Sequence, residues 1–183
     1  MGYALSWFAV RGLSPETVLA ELGLDRTGER EGLPEAPLTS LRLKTHWFIV
    51  IMNEPNQRLI GSATSHVSQM AELLTCHVEE HVMHSACSFW KDGHKLWSVE
   101  HEAQIDQNHL TIYGNPPLEL SVIRQRLVNE PDVDRVFDVP IEIAKSVTGF
   151  RHDEDMTNGE AFPFEVLTIS GSKNSWLKGL FAK

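Results

Sequence analysis

The four residues Lys91-Asp92-Gly93-His94 restrict the fold more than any other part of the 183-residue sequence. Asp-Gly supplies the two residues of positive φ that a tight type I′ turn requires, so this segment predicts the tip of a β-hairpin. Aromatic and apolar residues flank the turn on both sides, which is typical of paired strands with a buried face. They are Cys87, Phe89 and Trp90 before the turn, and Leu96, Trp97 and Val99 after it.

A two-residue turn also predicts the register of the hairpin. Counting outward from the turn places His84 directly opposite His101. Alternation along each strand then puts both histidines on the face that also carries the two neighbouring tryptophans. A single β-bulge between the turn and His84 would break this pairing, because it would shift every residue beyond it by one position.

The hydrophobic pattern of the remaining chain predicts further strands and short helices. Strands are expected at 3–10, 47–52, 109–113 and 164–169, and helices at 14–23, 117–129, 140–148 and 174–181. Residues 25–40 are rich in proline and glycine, so they are expected to form an exposed loop. Together these features predict one α+β domain over residues 1–183. We expect a mostly antiparallel sheet, a central hairpin at about 83–101 and several short helices packed on it.

Composition and charge exclude several functional classes. The chain has a net charge of −9, which disfavours binding to nucleic acid phosphates and to anionic membranes. Its apolar runs are shorter than the roughly 20 residues that a transmembrane helix requires, and its N-terminus lacks the features of a signal peptide. The two cysteines are interpreted as reduced, packed thiols, so we expect a cytoplasmic protein.

The segment His77-Val78-Glu79-Glu80-His81 offers two alternative metal sites. On a helix it would match the H-x-x-E-H pattern of inverted zinc proteases, with His84 one further turn along the same face. As a strand feeding the hairpin, it would instead place Glu80 with His84 and His101 on one face. Two imidazoles and a carboxylate suit zinc or a similar ion, whereas the simpler interpretation is a set of hydrogen-bonded residues at the edge of a core.

The acidic side chains suggest a different function, which does not require catalysis or a cofactor. Residues 129–165 contain ten acidic and three basic side chains, and Asp153, Glu154 and Asp155 form the densest acidic cluster. The chain contains no phosphate-binding glycine loop and no nucleophile elbow. In size and charge alone it resembles small bacterial immunity proteins, which cover an often basic active site. We therefore expect an acidic protein that binds a basic protein partner through these three residues. A metal-dependent hydrolase is the alternative.

Overall fold

One antiparallel sheet of nine strands dominates the computed structural model, which describes residues 2–53, 57–128, 136–155 and 160–171. In chain order the strands are β1 (Ala4–Arg11), β2 (Leu24–Glu31), β3 (Leu38–Arg42), β4 (Phe48–Met52), β5 (Glu72–Glu79), β6 (His84–Lys91), β7 (His94–Glu102), β8 (Thr111–Gly114) and β9 (Phe164–Ile169). Across the sheet their order is β2-β9-β3-β4-β1-β5-β6-β7-β8. All neighbouring strands run antiparallel, so the predicted α+β class with a mostly antiparallel sheet is confirmed.

Four helices and one 3-10 turn accompany the sheet within the described residues. They are α1 (Pro15–Leu22), α2 (Gln57–Ser65), the 3-10 turn Val67–Gln69, α3 (Glu119–Val128) and α4 (Asp138–Thr148). α1 begins as predicted, because the Ser14 hydroxyl accepts a hydrogen bond from the backbone N–H of Thr17. Gly23 and Gly149 end α1 and α4 in the left-handed conformation that favours glycine. None of these helices is long and apolar enough to cross a bilayer.

The sheet carries a separate apolar core on each of its two faces. On the first, which we call the α4 face, α4 packs against β5, β6 and β7, and Trp7 belongs to the core. On the second, the α1 face, residues of α1 and α2 pack with Phe8 and Val50. β1 lies fifth in the order of nine strands and is buried on both faces. This position explains why its sequence is apolar at consecutive positions instead of alternating.

The predicted hairpin forms from β6 and β7, and its turn has the predicted geometry. Asp92 and Gly93 have φ values of 52° and 75°, as a type I′ turn requires, and Lys91 lies opposite His94. Its predicted central position is wrong, since β6 and β7 are seventh and eighth in the sheet order and, among the described strands, only β8 lies beyond them.

A β-bulge in β7 shifts the register of the hairpin by one residue, because Phe89 pairs with Trp97 and Trp90 with Lys95, which leaves Leu96 without a register partner. His84 therefore lies opposite Glu102, and the predicted pairing of His84 with His101 is wrong. Because successive side chains of a strand point to opposite faces, the shift also moves His101 to the face opposite His84.

Two further sequence predictions need correction or lie outside the described residues. Residues 25–40 were expected to form a loop, but they include most of β2 and the start of β3. β2 is an edge strand whose residues are mainly polar and exposed, so hydrophobic periodicity gives no sign of it. Its pairing with β9 supplies the backbone hydrogen bonds. The helix predicted at 174–181 lies outside the described residues.

Candidate functional site

Six polar side chains from four adjacent strands lie together on the α1 face of the sheet. We call them the histidine face: Ser6, His77, Glu79, His84, Glu100 and Glu102. The register produces two parallel rows, because Ser6, His77, Ala86 and Glu100 are successive partners, as are Glu79, His84 and Glu102. Residues directly opposite one another in antiparallel strands present their side chains on the same face.

Hydrogen bonds order the side chains of this face. The Ser6 hydroxyl and His77 Nδ1 are 2.9 Å apart, and His84 Nε2 lies 3.0 Å from a carboxylate oxygen of Glu100. The centroids of the two imidazole rings are 5.2 Å apart. Two hydrogen-bonded pairs therefore lie side by side, one containing a buried serine and the other a carboxylate side chain that is 46% exposed.

Two carboxylates of the histidine face, Glu79 and Glu100, pair with histidines and not with lysine or arginine. A hydrogen bond from His81 holds the pKa of Glu79 below its ordinary value. Burial, together with the charge of His84, lowers the pKa of His77, so this imidazole is neutral at pH 7. Among the described residues, no lysine or arginine pairs with Glu79, Glu100 or Glu102. Within the described residues, the three carboxylates of this face therefore have no permanently charged side chain paired with them.

The structure does not bring together the predicted metal ligands Glu80, His84 and His101. Glu80 follows β5, and its carboxylate accepts the backbone N–H of Tyr3 at 2.9 Å. His101 is fully buried on the α4 face, where its Nδ1 donates to the carbonyl of His109 at 2.7 Å. The β-bulge explains why these residues do not meet, because it places His101 on the opposite face of the sheet from His84. The described part of the chain contains no group of three or more histidine, cysteine or acidic side chains that could hold a metal ion.

The alternative helical zinc site is also wrong in its geometry. His77 belongs to strand β5, and His81 lies in the turn between β5 and β6, so no helix presents His77, His81 and His84 on one face. The β-branched Thr75 and Val78 around His77 favour the strand. His77 and His84 still come close, because β5 and β6 pair across that turn.

The predicted partner-binding residues Asp153, Glu154 and Asp155 lie in the loop 151–155, which we call the acidic loop. The Arg151 guanidinium donates to Asp153 at 2.7 Å, and Lys145 pairs with Glu154. Burial opposes ionisation of Asp153, but the hydrogen bond and charge of Arg151 outweigh it and hold the pKa of Asp153 below its ordinary value. At least two of the three acids are therefore already paired with a cation of the same chain.

Arg151 also binds two acids of α4, so it joins the acidic loop to the body of the protein. Its guanidinium donates to Asp138 at 2.9 Å and contacts Glu142, and only 15% of the arginine side chain is exposed. Burial raises the pKa of Asp138 despite this arginine. For Glu142, hydrogen bonds from Arg126 and Arg151 outweigh the burial and lower the pKa. The arrangement is a partly buried ion network with a structural role.

The two cysteines lie opposite each other on β5 and β6. Cys76 and Cys87 are register partners on the α4 face and are both buried. Burial raises the pKa of each thiol above its ordinary value, which leaves neither as a reactive thiolate at neutral pH. The packed-thiol interpretation fits this environment.

Comparisons of the chain with protein-family models, curated proteins and solved structures find no match. Functional interpretation therefore depends on the geometry of the histidine face. Sequence reasoning missed four members of this site, which are Ser6, Glu79, Glu100 and Glu102. Ser6 lies inside an apolar segment, which gave no sign of a polar site. Glu100 shares a face with His84 only because of the β-bulge, and the residue types there do not predict a bulge.

Proposed function

We propose that this chain is an acidic binding protein that captures a basic protein partner through the histidine face. The observation that carries the proposal is the set of three carboxylates on one half-exposed sheet face, with no lysine or arginine partner among the described residues. Complementary charge of this kind steers association and selects partners by the sign of their surface. An inhibitor or immunity-type protein that covers a basic site is one form of this function. The reduced, buried cysteines suit a cytoplasmic location.

The spacing of the carboxylates suits a basic protein surface. Glu79 and Glu102 lie on strands separated by β6, so their Cα atoms are about 10 Å apart, which is two strand spacings. Glu100 and Glu102 are two residues apart on β7, or about 7 Å. Lysine or arginine side chains on one face of a strand or helix have similar separations. The rigid sheet holds the three acids in place before the partner arrives, which lowers the entropy lost on binding.

The burial of the nucleophilic groups favours binding over covalent catalysis. Ser6 is hydrogen-bonded to an imidazole, as a catalytic serine would be, but its side chain is only 1% exposed. Its hydroxyl is therefore shielded from solvent and hydrogen-bonded within the protein. The carboxylates of the histidine face are exposed enough to contact a partner surface directly.

The acidic loop is less suited to this role. Its Asp153 and Glu154 are paired with Arg151 and Lys145, so their charge is partly cancelled before any partner approaches. A partner cation would have to compete with these intramolecular ion pairs.

Fluorescence anisotropy with labelled octalysine tests the proposal by using a simple basic probe. We expect wild-type protein to bind the probe at low salt and to lose affinity as salt rises. The double variant Glu100→Gln/Glu102→Gln should bind about threefold to tenfold more weakly, since it removes two exposed charges from the site. The matched control is Glu21→Gln/Glu119→Gln, which removes two exposed charges from helices elsewhere. Equal losses in both variants would contradict a specific role for the histidine face.

A further inference from the structure

A small arginine-lined cavity lies on the α1 face, in the half of the sheet that contains β2 and β3. Its volume is about 210 Å³, and residues from the start of α1, from β2, β3 and β9, and from the segment before β9 line it. Arg26, Arg30 and Arg42 all contribute, so three of the nine arginines of an acidic chain meet at one cavity. We call it the arginine cavity.

The three arginines differ in how their charge is compensated. Arg26 pairs with Glu165 at 2.8 Å and with Glu16 at 3.3 Å, and Arg30 pairs with Glu160 at 2.8 Å. Arg42 is exposed, and no acidic partner for it lies among the described residues. The three glutamates balance the total charge of the three arginines, and Arg42 is the arginine whose guanidinium is left available to a ligand within the described residues.

Ser40 provides a second, independent sign of a ligand. Its side chain is fully buried and lines the cavity, and its Oγ has no hydrogen-bond partner among the described residues. A buried hydroxyl without a partner is unfavourable, and native structures normally satisfy such groups. Ser40 and Arg42 are two residues apart on β3, so both side chains lie on the same face of the strand. One ligand oxygen group could contact both residues.

We propose that the arginine cavity binds a small oxyanion group, either a phosphate or a carboxylate, through Arg42 and Ser40. The guanidinium provides two parallel N–H donors that match the oxygens of such a group, and the serine hydroxyl donates to a third position. The cavity is smaller than the roughly 300–1,000 Å³ of typical ligand pockets, so it suits an ion or the terminal group of a ligand. Glu16, Glu160 and Glu165 around it disfavour extended polyanions such as nucleic acid.

Isothermal titration of the full chain with inorganic phosphate, and separately with acetate, tests this site. We expect at least one anion to bind with a Kd in the millimolar range or tighter. Arg42→Ala should weaken that binding about tenfold, because it removes the charged donor. Ser40→Ala should weaken it by a smaller factor without lowering the melting temperature, since the hydroxyl has no partner to lose. The response to phosphate against acetate identifies which oxyanion the site prefers.

The matched control for this test is Arg124→Ala, which removes an exposed arginine of α3 that does not line the cavity. Its affinity for either anion should equal that of the wild type. The proposal is overturned if neither anion binds, or if Arg42→Ala and Arg124→Ala give the same affinity as wild type. Circular dichroism of each variant separates loss of binding from loss of fold.

Discussion

The acidic loop and the histidine face both concentrate carboxylates, but they differ in what compensates the charge. In the loop, Arg151 binds Asp153, and Lys145 binds Glu154. On the histidine face, the partners of Glu79 and Glu100 are histidines. The loop has the higher density of acid along the sequence, whereas the face has the more available negative charge. Charge available to a partner depends on three-dimensional pairing, which a count of acidic residues along the chain does not measure.

The largest expected effect concerns Arg151, because the structural role of the acidic loop depends on it. Arg151→Met leaves Asp138 partly buried without a cation and removes one of the two arginines of Glu142. We expect a loss of about 3 kcal/mol in the free energy of unfolding, measured with urea. The control is Lys145→Met, which breaks an exposed ion pair and should cost less than about 1 kcal/mol. Similar losses in both variants would contradict the difference between a buried network and a surface pair.

A smaller effect is expected from Gly93, which allows the tight turn between β6 and β7, two of the strands that carry the histidine face. Gly93 has a φ of 75°, a conformation that β-branched residues resist, so Gly93→Val should lower the free energy of unfolding by about 2 kcal/mol. His94→Val, at the adjacent exposed position, is the matched control and should change stability by less than about 0.5 kcal/mol. Urea unfolding that shows no difference between the two variants would contradict the type I′ turn.

The smallest effect is a pH dependence of stability to which two histidines contribute, His77 on the histidine face and His152 in the acidic loop, because burial lowers the pKa of both. The pKa of His77 in the folded protein lies below its ordinary value of 6.5, so the unfolded chain takes up the proton more readily. The stability contribution of neutral His77 is therefore complete above about pH 6.5, and it is lost as the pH falls through 6.5 toward the folded pKa. Urea unfolding between pH 7.5 and pH 5 should show this loss. Glu79 and Asp153, whose pKa values are lowered, change their protonation below this pH range.

His77→Gln should make the decline in stability between pH 7.5 and pH 5 shallower. The matched control is His66→Gln, at an exposed position next to the 3-10 turn, which should leave the decline unchanged. An identical slope in wild type and His77→Gln would show that His77 does not contribute to the pH dependence.

Local signals predicted much of the fold, because each depends on residues close together in the sequence. Ser14, Pro15 and Gly23 bound α1 as expected, and Asp92-Gly93 forms the expected turn. The edge strand β2 could not be predicted in this way, because its mainly polar residues carry no hydrophobic period. Pairing with β9, more than a hundred residues away, determines its conformation.

The candidate site was less predictable than the fold, because it depends on register and on long-range pairing. The predicted turn correctly places Lys91 opposite His94. Because of the β-bulge in β7, however, the register partner of His84 is Glu102 and not His101. Leu96, the residue that the bulge leaves without a register partner, does not signal a bulge by residue type. The pairing of Glu154 with Lys145 was not predicted either, because these residues are nine positions apart and meet only when the loop lies against α4.

The most direct test of the central claim compares the two acidic regions by neutralising three acids in each. Stopped-flow association with labelled octalysine at low salt measures how strongly each region steers a basic probe. The variants are Glu79→Gln/Glu100→Gln/Glu102→Gln on the histidine face and Asp153→Asn/Glu154→Gln/Asp155→Asn in the acidic loop. We predict that the first slows association severalfold, whereas the second leaves the rate close to that of wild type. The reverse order, or equal slowing in both variants, would contradict the proposal that the histidine face carries the available charge.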